Sequence, residues 1–190
     1  MKTPAIETSR LILRQWRDAD LDTWAEMNAD PRVMEFFTEP LDRARSDEVA
    51  SKMRARIERD GYGLWAVEIK ETGAFAGLIG LNEMAADIPV APKREVGWRL
   101  AFDAWGYGYA TEGAEAALQF AFGKLGWPEV VAVTAAINER SQRVMRRLGM
   151  IRDPAADFEH PRVPEGNPLR PHVLYRIHRE RAGGAVNTPA

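Results

Sequence analysis

Apolar positions recur along this chain with two different periods, and the switches between them predict its elements. Residues 10–16 (RLILRQW) alternate apolar and polar side chains, the period of a half-buried strand. Asp18 stands where it can cap a helix carrying Leu21, Trp24 and Ala25, and Asp30-Pro31 breaks that helix. A second helix, with Ser46 as its expected cap, sets Val49, Met53 and Ile57 on one stripe and arginines elsewhere. Two runs, 64–70 (LWAVEIK) and 74–82 (AFAGLIGLN), flank Glu71-Thr72-Gly73 and read as a hairpin. Residues 94–102 (REVGWRLAF) form the next strand. From about Tyr109 to Phe122, the residues Ala110, Ala114, Ala117, Leu118 and Ala121 share one face at helical spacing. The β-branched run 129–136 (EVVAVTAA) predicts a strand buried on both faces. Asn138 then caps a helix with Val144, Met145 and Leu148 as its stripe and Gly149 as its stop. Residues 152–171, rich in proline and charge, read as a long loop, and 172–178 (HVLYRIH) as a last strand. A meander followed by strands alternating with helices predicts an α/β (α+β) chain built on one mixed sheet. The reading is a single domain over 1–180 with a disordered tail at 181–190.

Composition narrows the chemistry. The 190 residues suit one domain with a sizeable core. Lys and Arg number 26 against 28 Asp and Glu, which argues against a dedicated nucleic-acid binder. There is no cysteine, so disulfides, thiolate zinc sites and a cysteine nucleophile are excluded. No window approaches the apolar length of a membrane span, and the start lacks a signal-peptide pattern, so the expectation is a soluble cytoplasmic protein. No two histidines stand at ligand spacing with a carboxylate, so no metal site is expected.

The strongest chemical signal is the stretch 104–113 (AWGYGYATEG), a glycine-rich turn between a strand and a helix. The dinucleotide fingerprint G-x-G-x-x-G would need glycine where the chain has Thr111. The phosphate loop G-x-x-x-x-G-K-[ST] could use Gly108 and Gly113, but alanine follows instead of lysine. What remains is a run of backbone N–H groups at a helix start, which can face an anion without a lysine or a metal.

The turn and its helix, the buried strand and then 138–150 (NERSQRVMRRLGM) together resemble the GNAT superfamily of acyl-CoA-dependent N-acetyltransferases. The nearest likeness is to its ribosomal-protein N-terminal acetyltransferase (RimJ/RimL-like) branch. The resemblance runs from TSRLILRQW (8–16) through EVGWRL (95–100) to HVLYRI (172–177). It implies a central mixed seven-stranded sheet flanked by helices, with acetyl-CoA as co-substrate and an amine as acceptor. It also implies pyrophosphate contacts at Trp105, Gly106, Tyr107, Gly108, Tyr109, Ala110 and Thr111, and a pantetheine arm pairing with Leu100, Ala101 and Phe102. The superfamily loop carries Gln or Arg where this chain has Asp103, and the branch often has Lys at Tyr107, which shifts phosphate binding toward backbone donors and arginines such as Arg143, Arg146 or Arg147. By the same resemblance, Glu95 is the expected general base, Asn138 and Ser141 are cofactor contacts, and Ser141 is also a donor to the leaving thiolate. Glu83 and Glu159 are rival carboxylates, and His160 and His172 are further candidate bases because imidazole titrates near neutrality. The acceptor is a protein N-terminus or a small-molecule amine, and a homodimer is as compatible as a monomer. A catalytically inactive acyl-CoA sensor is the alternative from another class.

Overall fold

The computed structural model describes residues 5–90 and 93–182. Its nine strands are β1 (Ile6–Glu7), β2 (Leu11–Arg14), β3 (Leu64–Ile69), β4 (Phe75–Glu83), β5 (Arg94–Leu100), β6 (Glu129–Ala135), β7 (Ile151–Arg152), β8 (Phe158–Glu159) and β9 (Pro171–His178). Five helices accompany them: α1 (Leu21–Ala29), α2 (Arg43–Asp60), α3 (Tyr109–Gly123), α4 (Glu139–Arg147) and α5 (Arg179–Ala182). The strands form one sheet in the order β1-β2-β3-β4-β5-β6-β9-β7, with β8 also on β9. Every pairing is antiparallel except β5 with β6. This is the expected mixed α/β sheet. The resemblance implied seven strands, and the described residues hold nine; the six runs read from alternation are all present, and the other three, β1, β7 and β8, are two residues long, too short to leave an alternating pattern. Of the tail expected at 181–190, residues 183–190 lie outside the described residues, while 181–182 end α5.

Helices cover both faces of the sheet. On one face α3 packs its small residues, and Gly113 comes so close that a Cβ there would stand 2.5 Å from Ile79 Cδ1. On the other face lie α1 and α2, and Trp24 of α1 meets the Trp16 ring edge to face at 5.2 Å. The cap of α2 is Asp42, whose carboxylate accepts the Arg45 backbone N–H at 2.8 Å, one turn before the expected Ser46. Ser46 is fully buried instead. Its carbonyl accepts from Trp24 Nε1 at 2.8 Å and its hydroxyl from Asn28 Nδ2 at 3.2 Å, so it locks α1 to α2. The segment expected as a bare loop at 152–171 holds β8, and the pairing of Phe158 with His172 folds it back over the end of β9.

These two faces sort the side chains of β5. Ile79 contacts α3 and is paired with Trp98, so Val96, Trp98 and Leu100 face α3. Glu95, Gly97 and Arg99 face α1 and α2, and Arg99 lies over the Trp24 ring at 5.4 Å.

Candidate active site

β5 and β6 meet in one register pair, Glu95 with Val131, and then separate. Into the gap opens a cavity of about 780 Å³. Its walls are Gly97–Leu100 on β5 and Val133–Ala135 on β6, and its lining also takes in the 104–111 turn and His160, Arg162 and His172.

At the turn, Gly106 and Gly108 both take left-handed backbone, with φ of 84° and 83°. Gly108 is the N-cap of α3 and has no side chain with which to satisfy the helix start. Its carbonyl accepts the Glu112 N–H at 3.1 Å, so the N–H groups of Tyr109, Ala110 and Thr111 make no bond within the helix. A Cβ at Gly106 would meet nothing within 4 Å, so the turn presents open space in front of these donors. The fit to an anionic diphosphate rests on this geometry. Arg143 and Arg147 on α4 line the same cavity, whereas Arg146 pairs with Glu139 and does not.

Leu100, Trp105 through Thr111, Asn138 and Ser141 all line the cavity. Ala101 and Phe102 do not. The Ala101 N–H is bonded to the Ala76 carbonyl on β4 at 2.9 Å, and Phe102 begins a 3₁₀ turn whose carbonyl accepts from Trp105. The Leu100 carbonyl is also engaged, by the Trp105 indole N–H at 2.9 Å.

Asn138 is buried at the start of α4, and its amide is spent internally. Its Oδ1 accepts the Ser141 N–H at 3.1 Å. Its Nδ2 donates to Thr134 Oγ1 at 2.9 Å and to Ser141 Oγ at 3.2 Å. Ser141 Oγ therefore accepts from Asn138, which leaves its own O–H free to donate into the cavity.

The His160 and His172 rings stand 4.7 Å apart, with the Phe158 ring 5.5 Å from His172. His172 Nδ1 is 3.1 Å from the Arg170 carbonyl. A carbonyl only accepts, so neutral His172 keeps its proton on Nδ1 and its lone pair on Nε2. Burial pushes the His172 pKa below the ordinary imidazole range, against the Arg170 hydrogen bond. Burial and then Arg162 push His160 down as well. Both rings are neutral at pH 7.

Glu95 lies outside the cavity lining. Its carboxylate accepts from Asn82 Nδ2 at 3.0 Å, and Asn82 Oδ1 accepts in turn from Arg56. Burial raises its pKa, opposed by Asn82 and then Arg56. Glu83 and Glu159 are engaged by Arg56 and Arg170 and are likewise outside the lining. Sequence reasoning passed over Arg99, although an arginine at an inward position of a central strand was the available signal. It also passed over the α1–α2 loop, where Phe36, Phe37 and Thr38 line the cavity. Arg140 ties that loop down through Glu35 and lies over the Phe36 and Trp105 rings at 5.1 and 4.7 Å.

The profile of the acetyltransferase (GNAT) domain family matches residues 10–151. The chain belongs to this family. Among curated relatives, it is 31% identical over 144 residues to the Bacillus subtilis protein YkkB, covering 75% of this chain and 83% of that one. It is 32% identical over 158 residues to an FsC-acetyl coenzyme A-N(2)-transacetylase of Aspergillus fumigatus, covering 77% of this chain and 65% of that one. An acetyltransferase structure from Agrobacterium tumefaciens superposes with a TM-score of 0.74 at 30% identity, over 94% and 96% of the two chains. A spermidine N-acetyltransferase from Vibrio cholerae, solved with CoA and spermine, shares the fold at TM-score 0.72 and 19% identity, over 93% and 100%. This GNAT acetyltransferase therefore has the expected fold, and among its described residues no helix is long and apolar enough to cross a membrane.

Proposed function

We propose that this protein transfers an acetyl group from acetyl-CoA to a primary amine in a ternary complex, as a single domain spanning residues 1–180. The observation that carries the reading is one cavity lined by the helix-start turn at 104–111, whose N–H groups at 109–111 make no bond within α3, by two imidazoles with lowered pKa and by Ser141. The diphosphate takes the N–H groups at 109–111 in the turn from Trp105 to Thr111, with Arg143 and Arg147 alongside. Leu100 and the strand gap receive the pantetheine arm. Asn138 acts by holding Ser141.

His172 Nε2 takes a proton from the acceptor ammonium, and the amine nitrogen attacks the thioester carbonyl. The C–N bond forms, the C–S bond breaks, and the thiolate leaves against the Ser141 hydroxyl before taking a proton. Glu95 is the second candidate base, favoured by its raised pKa but reaching the cavity only through water. Glu95→Gln is expected to leave the acidic limb of the pH–rate profile in place. Loss of that limb would transfer the role to Glu95. The inactive-sensor alternative predicts CoA binding without turnover. A thiol-release assay with acetyl-CoA and a panel of amines and N-terminal peptides tests the proposal, and no turnover with any acceptor would refute it. The panel also separates RimJ/RimL-like peptide acetylation from small-molecule acetylation.

Gly108→Val tests the phosphate cradle. A β-branched residue at φ 83° costs about 1–3 kcal/mol of strain, which a displaced turn would convert into roughly tenfold or greater loss of CoA affinity. Calorimetric titration of the folded variant checks this, and unchanged affinity would remove the cradle.

A further inference from the structure

The cavity wall carries charge of one sign only. Among the described residues no Asp or Glu lines it, while five arginines do, at 99, 140, 143, 147 and 162. Most of these are accounted for. Arg140 is paired with Glu35 and Arg162 with Asp87, and Arg143 and Arg147 lie on α4 beside the proposed phosphate cradle. Arg99 is different. It projects from the face of β5 turned away from α3, and no carboxylate pairs with it among the described residues. Its Nη1 donates to Asn28 Oδ1 at 2.7 Å, and its guanidinium lies 4.0 Å from the centre of the Phe37 ring. Its Nε is buried with no hydrogen-bond partner. Desolvation lowers its pKa to about 10, which still leaves it cationic at pH 7.

Arg99 is half-buried with its Nε shut off from solvent, and a largely desolvated cation without a counter-ion is costly; such groups are normally paired. Asn28 and the Phe37 face fix where the guanidinium points but supply no negative charge. A carboxylate entering the cavity would supply it, and the planar fork suits that shape.

We propose that Arg99 binds the carboxylate of the acceptor, so that the substrate class is a small primary amine carrying a carboxylate, of the amino-acid type. This rests on the acetyl-transfer reading above. It disfavours polyamines, whose extra ammonium groups would face Arg99 and Arg162 with no lining carboxylate to meet them. It equally disfavours an extended peptide N-terminus, which offers a neutral amide where the carboxylate would stand.

Two measurements on the full chain test it. Initial rates with L-amino acids are compared with those of their amides, which carry the same amine. Calorimetry then compares N-acetyl-L-amino acids with their amides on the CoA-bound protein, a readout independent of turnover. For the best ligands, the free acid is expected to be favoured about 10- to 100-fold, the range for a hydrogen bond to a charged group. Arg99→Gln should erase the preference, and Arg99→Lys should keep part of it, with CoA titration confirming that both variants are folded. Equal handling of acid and amide, a preference that survives Arg99→Gln, or best turnover with spermidine, O-phosphoethanolamine or a peptide overturns the assignment. If no amine turns over, the acetyl-transfer reading fails and the calorimetric comparison alone decides the carboxylate site.

Discussion

Replacing His172 with Gln is expected to lower kcat by about 10²- to 10⁴-fold, the range for removing a positioned proton acceptor. Affinity for CoA should hold, because His172 stands on β9 beside Ala135 and is not part of the 104–111 turn. The sign of the pH effect follows from its surroundings. A base works in its neutral form, and burial holds the His172 pKa below the ordinary value near 6.5. Activity should therefore persist below pH 6.5 and fall only as pH drops through the lowered value. In His172→Gln that limb should vanish together with most of the rate. His160→Gln supplies the control for the paired ring. His160 Nδ1 accepts the Arg162 backbone N–H at 3.2 Å, so its proton sits on Nε2 and it offers no lone pair there. Its loss should shift the limb by altering the burial of His172 without abolishing it. A His172→Gln enzyme with wild-type kcat and an intact limb would move the base elsewhere, with Glu95 next.

The fold was legible where long-range demands agreed with local pattern. α3 was expected over about 109–122 and runs Tyr109–Gly123, since its alanines and Gly113 must meet the sheet closely. The Asn138 cap was legible because one side chain serves both the helix start and the strand before it. Short-range signals misled where a tertiary contact overrode them. Ser46 resembles a cap in sequence, yet a fully buried pair of bonds to α1 claims it and leaves capping to Asp42. β7 and β8 left no trace because two-residue strands are specified by their partner β9 and not by their own alternation. In the site, the turn was readable because left-handed backbone demands glycine at a known spacing. The Arg99 side of the cavity was harder to read, because it brings Phe37 and Arg99 together with His172, already a candidate base, from distant segments, and its order comes from the separation of β5 from β6. Glu95 shows the same limit. Its place on the strand was right, and Gly97 and Arg99 on the same face do line the cavity, but how far along β5 it opens is a property of the packed molecule.

The second large effect is expected at Ser141. The hydroxyl stands three residues past the Asn138 cap, on the wall of the cavity, where the thioester sulfur of a CoA seated on the turn would run. A serine is a weak acid, so complete proton transfer is not required of it. A hydrogen bond that strengthens as negative charge develops on sulfur is enough, and the positive end of α4 adds to it. The surrounding bonds prepare that donor. Asn138 Nδ2 fills one lone pair of Oγ at 3.2 Å, which orients the O–H outward and polarises it. Ser141→Ala is accordingly expected to cost up to about 2.7–4 kcal/mol of transition-state stabilisation, or roughly 10²- to 10³-fold in kcat, and less where water replaces the donor. CoA affinity and melting temperature should barely change, because the capping bond from Asn138 Oδ1 goes to the backbone N–H of residue 141, and Asn138 Nδ2, on losing Ser141 Oγ, keeps its bond to Thr134. Asn138→Ala should differ in kind. It removes the cap, worth about 0.5–2 kcal/mol, along with the tie to Thr134, so stability and kcat fall together. Measuring kcat and melting temperature on the same preparations separates the two roles. If Ser141→Ala lowers the melting temperature while kcat is preserved, the hydroxyl is structural and the thiolate must find its donor elsewhere in the cavity.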